Sequence, residues 1–281
     1  MSSPPEIPQP GGSDPDESSS TVIWRGPAIP ARRSNPYGST RTVVARRHAL
    51  ITPDGLVPSD LPGWYQATAY VVISPAMCSR VLQLRIDLAE RGVGVGGTGD
   101  NELFVYALSG AFAFETDKNA GDDLEAGGYV YLPPGTRYQI DGLNKGASLL
   151  IFEKKYEPLT GSPMPGIVSG NERDIAGAPF LGDPSAMLQV LLPLGPSFDM
   201  AVNIFKYAPG ATLPFVETHV MEHGLLMLAG EGIYRLEDAW YPVRAGDAIW
   251  MAPYCPQWFV ATGKTPASYI YYKDVNRWPG P

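Results

Sequence analysis

Three histidines occur among the 281 residues, and two of them, His219 and His223, follow Glu217 closely in the run Gly210-ATLPFV-Glu217-Thr-His219-VME-His223-GLLMLA-Gly230. Positions 217, 219 and 223 differ by even numbers, so an extended chain turns all three side chains to one face. A carboxylate and two imidazoles inside a β structure are costly to bury unless they hold something, and a divalent cation is the economical guest. A second run, Gly246-DAIWMAPYCP-Gln257, supplies an amide eleven residues after a turn glycine, placed to reach the same face from a neighbouring strand. Glu222 is the rival carboxylate. It adjoins His223, but strict alternation turns it away, and a bulge would reverse the choice.

The elements that must position these groups are strands. The chain has 31 Gly, 29 Pro, 15 Tyr and 9 Phe with only 18% charged residues, a composition of short strands joined by turns rather than of a helical bundle. Apolar runs at 71–77, 81–88, 103–115 and 129–135 form one series, and runs at 187–195, 200–210, 223–236 and 248–253 form a second. The series match: Gly110 corresponds to Gly230, Gly127 to Gly246 and Tyr138 to Gln257, at offsets of 120, 119 and 119. A repeat of this length is a whole small domain, which predicts a duplicated β-barrel or jelly roll. The Gly- and Pro-rich stretch of about 158–184 connects the copies and is long enough to include an exchanged strand. The stretch GVGVGGTGD at 92–100 is expected to be a flexible loop, because it lacks the strand–GxGxxG–helix context of a phosphate site.

The other features bound the function. A net charge of −8 leaves no basic field for a phosphate backbone, so nucleic acid is not an expected partner. No run reaches the length of a membrane span, and the N-terminus lacks the order of a signal peptide, so no membrane partner is expected and the expected location is the cytoplasm. Cys78 and Cys255 form no disulfide framework, and Cys255 is expected to be structural. Residues 1–36, polar and Pro-rich, are expected to be a disordered tail. His48 is expected to be a surface or packing residue, and Trp240, Trp250, Trp258 and Tyr241 to pack the core or the barrel mouth.

The two motifs together resemble the cupin superfamily, whose members carry G-x5-HxH-x3-4-E-x6-G followed by G-x5-PxG-x2-H-x3-N. Glu217 stands at the first His of that pattern, His219 at the second, His223 at the Glu and Gln257 at the last His. Two spacings depart: Gly210 lies one residue too far from Glu217, and Pro253 sits one place late, so this copy has no PxG. The first copy keeps Gly127-GYVYL-Pro133-Pro-Gly135-TR-Tyr138 but has no histidine near Gly110, which implies a metal-free barrel. The set Glu, His, His, Gln, with RRHALITPDG at 46–55, the segment 223–258 and YYKDVNR at 271–277, is similar to the (S)-ureidoglycine aminohydrolase family over most of the chain after residue 42.

The resemblance implies an all-β bicupin, with a metal-free barrel at 37–160 and a catalytic one at 161–281. It implies hydrolytic release of ammonia from (S)-ureidoglycine to give (S)-ureidoglycolate in allantoin and purine breakdown. The implied cofactor is Mn(II), held by Glu217, His219, His223 and Gln257, and the implied partners are a small-molecule substrate and further copies of the chain in a homo-oligomer. Strand ASYIYYKDVN places Tyr269, Tyr271 and Lys273 on one face. The resemblance supports Tyr234, Tyr269 and Lys273 as pocket residues, with Lys273 a partner for the substrate carboxylate and Tyr234 a candidate for orienting the ureido group. The rival classes are another metal cupin enzyme, such as a dioxygenase, and a non-catalytic binding cupin.

Overall fold

The computed structural model describes residues 40–118 and 120–277; the tail expected at 1–36 lies outside them. The chain opens with β1 (Val43–Val44) and β2 (His48–Ile51), and continues through β3 (Trp64–Ile73), β4 (Val81–Gly97), β5 (Asn101–Thr116), β6 (Asp123–Glu125), β7 (Gly128–Leu132) and β8 (Arg137–Lys155). The connection holds β9 (Val168–Asn171) and β10 (Ala178–Phe180). The second half follows as β11 (Asp183–Val190), β12 (Met200–Tyr207), β13 (His223–Ala229), β14 (Glu231–Leu236), β15 (Ala239–Arg244), β16 (Ala248–Met251), β17 (Gln257–Ala261) and β18 (Ala267–Asp274). Among the described residues there is no α-helix, only three short 3-10 turns.

Three sheets result. One runs β3-β4-β8-β5-β7-β9, with β6 on β5; a second runs β1-β2-β16-β13-β18-β12-β11-β10; a third is β15-β14-β17. Strands are exchanged between the halves: the β1–β2 pair joins the second half through β2 and β16, and β9 pairs with β7 of the first. His48 anchors the first exchange. It is buried, with Nδ1 2.9 Å from Glu237 Oε2 and Nε2 2.8 Å from the Tyr241 hydroxyl. The duplication is visible in the backbone, since the matched glycines 110 and 230, and 127 and 246, all take positive φ, +73° and +70°, +83° and +91°.

The core has three parts, because several strands are buried on both faces. Phe112, Phe114, Ile86 and Leu149 fill the first barrel, and Tyr207, Leu236, Phe259 and Tyr269 fill the second. A third cluster, with Phe104, Phe152, Met200, Trp250 and Tyr272, lies between the halves. On β18 the alternation separates them: Tyr269 and Tyr271 point into the second barrel, while Ile270 and Tyr272 point between the halves.

Three local expectations are corrected. The run expected to be a strand at 71–77 stops at Ile73, and Pro75–Met77 form a 3-10 turn, as Pro75 has no N–H for the ladder. The stretch expected to be a flexible loop at 92–100 is mostly strand, because β4 continues to Gly97. Its glycines serve packing: a Cβ on Gly94 would lie 2.6 Å from the Trp64 ring, and one on Gly96 would lie 2.6 Å from the Tyr138 hydroxyl. Finally, 217–223 is not one strand. Glu217 makes an isolated bridge to Gln257 of the three-stranded sheet, and His223 begins β13 of the eight-stranded sheet. The chain crosses between two sheets over residues 218–222, so no single ladder can run through it.

Candidate active site

Glu217 and Gln257 are tied through their backbones, Glu217 N–H donating to Gln257 O at 2.8 Å and Gln257 N–H to Glu217 O at 2.9 Å. His219 is held by its carbonyl, which accepts from Tyr254 N–H at 2.7 Å. His223 starts β13 between two strands, with Met251 and Lys273 as its register partners. Although Glu217 and His219 lie outside a regular strand, they face the same interior, because the two sheets enclose one space. Glu217, His219, His223, Gln257, Tyr234, Tyr269 and Lys273 all line a single cavity of about 80 Å³.

Glu222 does not line it. Its carboxylate is buried on the opposite side, where it accepts from the Ser79 and Tyr272 hydroxyls and from Arg80 N–H. Cys255 is buried outside the cavity lining, and burial pushes its thiol up to about 11. Trp250 is in the core and Trp240 is exposed. The lining also includes Tyr271, Phe205, Leu225 and Phe180. Tyr271 and Leu225 follow from alternation on β18 and β13, whereas Phe180 arrives on β10 from the connection and has no local signal.

Electrostatics prepare both imidazoles to be neutral. Burial lowers the pKa of His219, with a further push from Lys273, and places His223 well below the ordinary value, helped by His219 and Lys273. Burial raises the Glu217 carboxyl, against the pull of the Lys273 ammonium, and lowers Lys273 against the attraction of Glu217 and Asp274. The phenols of Tyr234, Tyr269 and Tyr271 are all raised by burial, which keeps them hydrogen-bond donors. Tyr269 is 3.0 Å from the Tyr207 hydroxyl, and Tyr234 donates to Gln257 Oε1 at 3.4 Å.

Two imidazoles, a carboxylate and an amide on one cavity wall are donor types that suit a divalent cation. His223 Nε2 and His219 Nδ1 are buried without hydrogen-bond partners, the His219 and His223 rings lie 4.6 Å apart, and His219 Nε2 is 3.1 Å from the Gln257 amide nitrogen. Two donors at right angles, each about 2.1 Å from an ion, lie roughly 3 Å apart. Turning the amide over brings Oε1 beside His219 Nε2 and lets the –NH2 donate to the Tyr234 hydroxyl oxygen. Among the described residues no group of three or more His, Cys, Asp or Glu side chains is by itself placed to hold a metal ion.

Comparison with known proteins identifies the family. The Cupin domain family matches residues 203–272, which include Glu217, His219, His223 and Gln257. The chain is 36% identical to "(S)-ureidoglycine aminohydrolase" of Arabidopsis thaliana over 269 residues, 94% of this chain and 89% of that protein. It is 35% identical to "(S)-ureidoglycine aminohydrolase" of Escherichia coli K12 over 234 residues, covering 82% of this chain and 88% of that one. The crystal structure of protein Ylba from E. coli superposes with a TM-score of 0.77 at 32% identity, over 86% of this chain and 97% of that chain. Two tandem barrels, the cupin motif in the second of them and identity along nearly the whole length place the chain in the (S)-ureidoglycine aminohydrolase family.

Proposed function

We propose that the second barrel hydrolyses (S)-ureidoglycine, releasing its amine as ammonia and leaving (S)-ureidoglycolate, as part of allantoin and purine breakdown. The supporting observation is the convergence of Glu217, His219, His223, Gln257, Tyr234, Tyr269 and Lys273 on one small cavity in a chain so similar to two aminohydrolases. In this reading Glu217, His219, His223 and Gln257 hold Mn(II), which suits a mixed nitrogen and oxygen set. The bound ion supplies Lewis acidity and a fixed template for the chiral carbon that carries both the amine and the ureido group.

The chain's own groups do the rest. Lys273 places an ammonium on the cavity wall, where it pairs with the substrate carboxylate and fixes one end of a small molecule. Tyr234 and Tyr269, kept protonated by burial, offer O–H donors to the ureido carbonyl. Phe205, Phe180 and Leu225 provide apolar wall, which strengthens those polar contacts by excluding water. Holding the carboxylate, the ureido group and the reacting carbon at separate points selects one enantiomer. The metal-free role of 37–160, the catalytic role of 161–281, a homo-oligomer and a cytoplasmic location belong to the same proposal.

The test is product analysis with substrate labelled with 15N in the amine. The expected result is one labelled ammonia per molecule consumed and ureidoglycolate of S configuration; unlabelled ammonia, or oxygen consumption, contradicts the reading.

A further inference from the structure

His223 and Lys273 are register partners on β13 and β18, and both line the cavity. Their sequence neighbours Glu222 and Asp274 point the other way, toward the first half of the chain, where one turn, Ser79–Arg80, just before β4, bonds to both, and the Tyr272 hydroxyl also donates to Glu222 at 3.1 Å. Ser79 Oγ donates to Glu222 Oε1 at 2.5 Å, Arg80 N–H donates to Glu222 Oε2 at 3.0 Å, and the Arg80 guanidinium donates to Asp274 Oδ2 at 2.7 Å. Asp274 Oδ1 accepts from Glu222 N–H at 2.5 Å, which ties the two carboxylate residues to each other. Glu222 is 1% exposed, so its oxygens cannot exchange these donors for water.

We propose that the Ser79–Arg80 turn is a positioning element for the site in the other barrel, setting His223 through Glu222 and Lys273 through Asp274. The metal-free half thereby acts on the reaction without touching substrate. The Arg80–Asp274 pair is open to solvent mainly on the arginine side, the Asp274 side chain being 15% exposed, and what this turn fixes is the relative placement of one imidazole and one ammonium. One peptide unit separates each anchored carboxylate from the group it positions, which leaves little slack in between.

The proposal rests on the reading of the site given above, and the two fail separately. The measurement is 1H–15N correlation of the histidine rings in the metal-free full chain, where three histidines give a readable spectrum. The variants are Ser79→Ala with Arg80→Ala, and Glu222→Gln. The expected result is displaced His223 ring signals with unchanged His48 signals, since His48 is anchored elsewhere by Glu237 and Tyr241. Mn(II) affinity falls on the order of tenfold, as for other outer-shell partners, KM rises more than kcat falls, and Arg80→Lys recovers most of the KM. A merely structural turn lowers the Tm but leaves the His223 signals and KM in place, and that result overturns the proposal. Wild-type protein that neither binds Mn(II) nor releases ammonia counts against the site reading, while the ring signals still decide the positioning.

Discussion

Lys273 stands directly across the β13–β18 pairing from His223, so an ammonium and a neutral imidazole share one cavity wall. The ammonium pushes both histidines toward neutrality and attracts Glu217, and in the proposed reaction it also meets the substrate carboxylate. Lys273→Met keeps the bulk and removes the charge. Truncating one partner of a buried charge pair costs about 2–5 kcal/mol, so kcat/KM is expected to fall by at least about 30-fold. Steady-state kinetics check this, and unchanged kinetics remove the carboxylate anchor.

Direct ligands are expected to matter more to metal binding than outer-shell groups, whose loss costs about 10–100-fold in affinity. His223→Ala and Gln257→Leu are each expected to weaken Mn(II) binding by more than about 100-fold, read from free Mn(II) by EPR. Tyr234→Phe keeps the four donors and is expected to change affinity far less. Wild-type affinity in Gln257→Leu would remove the amide from the set.

The pH dependence of metal binding follows from burial. Both histidines lie below the ordinary 6.5, so they are free of protons under mildly acidic conditions, while Glu217 is raised above 4.5 and protonates early as pH falls. Mn(II) competes with those protons, so affinity is lost as pH drops. In an EPR titration binding is expected to persist as pH falls through the ordinary histidine range and to be lost below it, and loss already complete above 6.5 contradicts these environments.

A second buried cluster links stability to pH. Lys154 Nζ lies 2.6 Å from Asp199 and 3.2 Å from Glu102, and Tyr131 donates to Glu102 at 2.6 Å. Burial pushes the Glu102 carboxyl up to about 8, with Lys154 nearer to Asp199. Between 4.5 and about 8 the folded chain therefore holds a proton that the unfolded chain has lost, and the unfolding free energy falls as pH rises through this window. Glu102→Gln mimics the protonated form and is expected to flatten that fall in denaturant titrations from pH 5 to 8. An identical pH slope in the variant contradicts the assignment.

Much of the site is visible in the sequence because few residue types carry it. Two of three histidines close to Glu217, with the glycine offsets, bring out the cavity-lining residues and the repeat, although the single-strand alternation from 217 to 223 does not hold, and alternation on β18 marks Tyr269 and Lys273. What escapes has long-range causes. The crossing at 218–222 exists because Glu217 and His223 pair with different sheets, which no local pattern records. The glycines of β4 look like a loop because their purpose is room for the Trp64 and Tyr138 rings. Glu222 looks like a possible ligand until Ser79 and Arg80, more than 140 residues earlier, are seen to hold it.

Ammonia release from (S)-ureidoglycine, formed in the cuvette from allantoate, by Mn(II)-loaded and by chelated protein is the decisive comparison. The expected result is release well above the spontaneous rate with Mn(II), falling to that rate after chelation and returning when the ion is restored. No acceleration by fully loaded protein contradicts the proposed reaction, leaves the bicupin fold standing, and turns attention to dioxygenase or binding chemistry in the same cavity.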